Sequence, residues 1–76
     1  MSPDKLVYMA NQIATFFQTR KHDEALTGIA DHINNFWEPR MRAQFFQIVD
    51  AGGDGLKPLV VEAAARIRRP KTAAAG

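Results

Sequence analysis

Seventy-six residues with a net charge of +2 allow one domain around one small core, since a chain of this length buries only about 60% of the surface it exposes when unfolded. The sequence has no cysteine, which excludes disulfide frameworks, thiolate metal sites, iron–sulfur ligation and thiol nucleophiles together and makes a reducing compartment the expected setting. Asp4 and Lys5 stand close to Met1 and polar residues recur by Asn11, so neither a secretory leader nor a membrane span is expected and the cytoplasm is the expected location.

Ser2-Pro3-Asp4 predicts a helix start: a hydroxyl for the free amides, a proline at the first helical position, and an acid at the positive end of the dipole. Leu6, Met9, Ala10, Ile13, Phe16 and Phe17 then form one apolar stripe, predicting a helix to about Thr19. After the polar stretch Arg20-Lys21-His22, Asp23 is expected to cap a second helix whose stripe is Leu26, Ile29, Ala30, Ile33, Phe36 and Trp37. Residues 6–17 and 26–37 share the pattern Leu-x-x-Met/Ile-Ala-x-x-Ile-x-x-Phe-Phe/Trp, which suggests a helical hairpin with matched faces.

Pro39 disfavours helical geometry at Glu38 and can open a new helix, whose stripe is Met41, Phe45, Ile48 and Val49. Gly52, Gly53 and Gly55 are expected to end it, because glycine supplies the left-handed conformations of a C-cap and tight turn. Pro58 starts a fourth helix with Leu56, Leu59, Val60, Ala63 and Ile67 on one face and Arg66, Arg68 and Arg69 in its last turn, ended by Pro70. The expected architecture is an all-α bundle of three to four short helices over residues 1–69, followed by a disordered tail over 70–76.

Three adjacent aromatic pairs, Phe16-Phe17, Phe36-Trp37 and Phe45-Phe46, exceed what one stripe can absorb. Neighbours on a helix point about 100° apart, so one member of each pair is expected at the stripe's edge. Aromatics, Met and Arg are enriched at interface centres, and Phe36, Trp37, Pro39, Arg40 and Met41 gather at one helix–helix corner, the candidate partner-binding site. Packing is the competing role for Trp37.

No catalytic, cofactor-binding or metal-ligating set is expected. His22 and His32 are ten apart, not three or four, and no third ligand stands at helical spacing from either. The Asp50–Gly55 loop has Gly52 at the third position of a calcium loop and Val61 at its twelfth, with Glu62 one residue late. No strand precedes its glycines and no Lys-Ser/Thr follows, so it is not a phosphate cradle either. A helix-turn-helix-like nucleic-acid module is the alternative from a different class, with Arg40, Arg42, Arg66, Arg68, Arg69 and Lys71 available for phosphates. Acids from Asp23 to Glu62 interrupt that positive stripe.

Three segments carry a family resemblance: Lys5 to Phe17, His32-Ile-Asn-Asn-Phe-Trp-Glu-Pro-Arg-Met-Arg42, and Gly52-Gly-Asp-Gly-Leu-Lys-Pro-Leu-Val60. Through them, over roughly Ser2 to Ile67, the chain resembles the delta subunit of bacterial NAD-dependent, molybdenum-containing formate dehydrogenase. Phe45-Phe46 and the tail from Arg69 depart from that pattern. The resemblance implies a non-catalytic accessory subunit of a complex that oxidises formate to carbon dioxide and reduces NAD. It further implies binding to the alpha subunit, with a role in assembly, stability or cofactor insertion. The molybdenum cofactor, iron–sulfur clusters, FMN and NAD would then sit in partner subunits, and neither nucleic acid nor membrane would be a partner.

Overall fold

The structure, a computed structural model, describes residues 1–70 and contains four α-helices: α1 (Pro3–Phe17), α2 (His22–Phe36), α3 (Pro39–Asp50) and α4 (Pro58–Ala63). A 3-10 turn, Ala64–Arg66, continues α4, and no strand occurs among the described residues. The expected small all-α bundle is what forms. The disordered tail expected over 70–76 lies, from Lys71 on, outside the described residues; Pro70 itself is half-buried.

Each proline-marked start is where the sequence puts it. Ser2 caps α1, its Oγ accepting the Lys5 N–H at 3.2 Å, and Pro3, Pro39 and Pro58 are each the first helical residue, where their missing N–H costs nothing. Helix α2 differs from expectation: it begins at His22 after Lys21, with no side-chain cap. Asp23 is not its cap but lies inside the first turn, where its carboxylate suits the dipole and accepts from Arg66 Nη2 at 2.8 Å. Helix α1 also stops at Phe17, short of Thr19, as the Arg20 N–H folds back onto the Phe17 carbonyl at 2.9 Å.

The stripes converge on one core. Leu6, Ala10 and Ala14 of α1 meet Leu26, Ile29, Ala30 and Ile33 of α2, and Phe45, Val60 and Ala63 close the other side. Alanines at the crossing points let the helix axes approach, while the fully buried Phe45, Leu6, Ile29, Ile33 and Val60 each contribute about 1.5–3 kcal/mol from leaving water. One ring of each aromatic pair is expected at its stripe's edge, yet at the third pair both are buried, Phe45 and Phe46 being 0% and 5% exposed. Helix α3 can bury both because the Arg69 guanidinium lies 4.2 Å from the Phe46 ring centroid and covers it.

The last segment departs most from its periodicity. The helix ends with the 3-10 turn, and Ile67 is extended and buried, so Arg68 and Arg69 lie beyond the helix and not in its final turn. Two asparagines hold the segment from outside. Asn11 of α1 donates to the Gly55 carbonyl and accepts from the Lys57 N–H, both at 2.9 Å. Asn34 of α2 donates to the Arg66 carbonyl at 3.2 Å and accepts from the Arg68 N–H at 2.8 Å. The turn leading into this segment needs its glycines: Gly53 sits at φ 69°, and a Cβ there would also come within 3.2 Å of Val61.

Candidate docking face

Helices α1 and α2 pair as a hairpin through the connection over residues 18–21. The 100° step between neighbours splits two of the aromatic pairs at equivalent places in the repeat. Phe16 and Phe36 are 69% and 73% exposed, whereas Phe17 is half-buried and Trp37 is 5% exposed. Phe17 fits between the helices only because its neighbour is Gly28: a Cβ at residue 28 would lie 2.5 Å from Phe17 Cε1. Phe16 meets Phe17 edge-on at 5.0 Å between centroids.

These placements leave an open groove of about 430 Å³ along the outer side of the hairpin, lined by Gln12, Ile13, Phe16, Phe17 and His32. Phe36 continues its α2 wall, its ring 4.9 Å from that of His32. On the α1 side Gln12 donates to the exposed Tyr8 hydroxyl at 3.2 Å. Arg20 marks one end, its guanidinium 6.0 Å from the Phe17 ring centroid. Such a surface can bury apolar side chains. It offers no nucleophile paired with a base, and no acid lines it.

The corner expected to bind a partner is divided by the structure. Trp37 is turned into the core, its ring edge-on to Phe45 at 6.0 Å, and its backbone N–H donates to the Ile33 carbonyl at 3.0 Å. Met41 is half-buried against the same core. Phe36, Pro39 and Arg40 stay on the surface. Sequence reasoning missed Tyr8, Gln12, Gly28 and His32 as parts of one face. A glycine in the middle of α2 was the available signal, because it marks close approach of another group.

Four of the basic residues considered for nucleic acid, Arg42, Arg66, Arg68 and Arg69, are held within the fold. Arg66 donates to the Asp23 carbonyl and carboxylate and to Thr27 Oγ1, at 2.8–3.3 Å. Arg42 donates to the Arg68 carbonyl at 2.6 Å, and Arg68 to the Asn34 carbonyl at 3.4 Å. Arg69 grips both oxygens of Asp50 at 2.8 and 3.0 Å. That hydrogen bond holds the Asp50 carboxyl below its ordinary value, against a smaller opposing effect of desolvation, and raises Arg69 in turn. His22 Nε2 lies 2.8 Å from Glu62 Oε1. Arg40 and Arg20 take part in none of the ion pairs among the described residues.

Together these features define a small all-helical protein with a compact four-helix core, an apolar groove and two exposed rings. The chain belongs to the family of NADH-dependent formate dehydrogenase delta subunits, FdsD, whose model matches residues 5–64. No match was found among curated proteins or among solved structures. No helix of the described residues is long and apolar enough to cross a membrane. Among the described residues no three His, Cys, Asp or Glu side chains converge as metal donors, and the sequence has no cysteine to ligate an iron–sulfur cluster.

Proposed function

We propose that this chain is a non-catalytic accessory subunit of a cytoplasmic NAD-dependent formate dehydrogenase complex. It binds the molybdenum-containing alpha subunit and supports assembly, stability or cofactor insertion. The observation that carries this reading is the family match over residues 5–64, and the exposed apolar face supports it by giving a subunit something to bind with. On this reading formate oxidation and NAD reduction belong to the partner subunits, together with the molybdenum cofactor, iron–sulfur clusters and FMN. At the corner, Phe36, Pro39 and Arg40 supply contact surface, while Trp37 and Met41 hold them in place from within.

Affinity isolation of the tagged chain from its native cytosol, with mass spectrometry of what it retains and a formate:NAD assay on the eluate, tests the reading. Recovery of a large molybdo-iron–sulfur subunit with activity is the expected result. Retention of nucleic acid, or of no stable partner, overturns it. The same eluate separates the two forms of support: the chain at equal stoichiometry in active enzyme is a subunit, and the chain bound only to cofactor-free alpha subunit is a maturation factor.

A further inference from the structure

We propose that the α1–α2 groove seats an amphipathic helix of the alpha subunit, one that carries a carboxylate beside its apolar stripe. The inference rests on the accessory-subunit reading and specifies its contact chemistry. Shape favours a helix. The groove lies between Gln12–Phe17 of α1 and His32 of α2, with an apolar floor at Ile13 and Phe17, the Phe16 ring in its wall and the Phe36 ring packed beside His32. Walls and floor of that kind take a helix through bulky side chains spaced three and four residues apart.

Charge specifies the helix. Arg66 and Arg69 are matched by Asp23 and Asp50, whereas Arg20, at the groove's end over Phe17, makes no ion pair among the described residues. No acid lines the groove, and His32 adds a second group able to donate to a carboxylate. An incoming Asp or Glu beside an apolar stripe would satisfy both the unpaired guanidinium and the apolar walls. A second copy of this chain fits less well: with a net charge of +2, it would bring another Arg20 and another acid-free groove to the contact.

The test uses the complex formed by co-expressing the tagged chain with the enzyme's other subunits. Phe16→Ser, Phe36→Ser and Arg20→Glu are compared with Asp54→Lys, a charge reversal in the exposed glycine turn. That turn is held by Asn11, about 140° around α1 from Phe16. The three groove variants are expected to retain about tenfold less alpha subunit, or below, with circular dichroism unchanged, while Asp54→Lys matches the wild type. In parallel, p-benzoylphenylalanine in place of the exposed Gln12 is expected to cross-link to an alpha-subunit helix that bears an Asp or Glu next to its apolar positions. Wild-type retention by all three groove variants overturns the inference and leaves the accessory-subunit reading intact. So does a cross-link to a second copy of the chain or to a segment without an acid. A wild-type chain that retains no alpha subunit overturns the accessory-subunit reading itself, and with it the occupant named here.

Discussion

Phe36, the last residue of α2, and Trp37, its extended C-cap, do different work, the first 73% and the second 5% exposed. Replacing Trp37 by Ala removes a buried indole packed on Phe45 and costs about 3–5 kcal/mol. A chain of this length is stable by only about 4–11 kcal/mol, at 0.05–0.15 kcal/mol per residue, so Trp37→Ala is expected to lose much of its helical signal on mild urea addition. Phe36→Ala is expected to melt within about 0.5 kcal/mol of the wild type. Equal melting of the two variants would show that Trp37 carries no packing role. Asp50 makes a second prediction at this scale. Its folded-state carboxyl titrates below the ordinary 3.8 because Arg69 binds the ionised form, so the pair stabilises the fold fully above that value and loses its effect as pH falls through the lower, folded one. Asp50→Asn is therefore expected to melt earlier than the wild type at neutral pH and to converge with it in strong acid. A gap that persists there would assign the effect to packing on Phe46 instead.

Helices α1 to α3 were legible as elements because their stripes and their prolines agree, and tertiary contacts only trimmed their ends. The final segment was not. Its apolar spacing reads as a helix through Ile67, but Asn34 captures the Arg68 N–H and the core captures Ile67, so the chain straightens after Arg66. Those partners lie more than thirty residues apart in sequence, beyond the reach of any local pattern. The two asparagine clamps make a prediction about this element. Asn11→Ala and Asn34→Ala each remove one donated and one accepted hydrogen bond, worth about 0.5–1.5 kcal/mol apiece. Hydrogen exchange is expected to speed at the Lys57 amide in the first variant and at the Arg68 amide in the second, with the α1 and α2 amides little changed. Uniform acceleration throughout the chain would instead mean that the clamps hold up the whole fold.

For the molecule as a whole, helical periodicity set the all-α class correctly, while the face it offers emerged only from assembly. The aromatic surplus was visible in sequence. What placed Gln12, Phe16 and His32 around one groove, with Phe36 against His32, was the close approach of Phe17 to Gly28, a contact between helices. The acids that interrupt the basic string in sequence meet it in the fold: Arg66 pairs with Asp23 and Arg69 with Asp50, while Arg42 donates to a backbone carbonyl. The asparagine clamps carry one more consequence, for how this chain can change over generations. Both grip main chain and not side chain, so residues 57 and 68 are free to vary among all types that keep an N–H. Proline alone deletes the donor. The drift of Lys57 and Arg68 is thus uncoupled from the clamps, and the polar anchoring of the main chain on either side of α4 falls on two small amides in other helices.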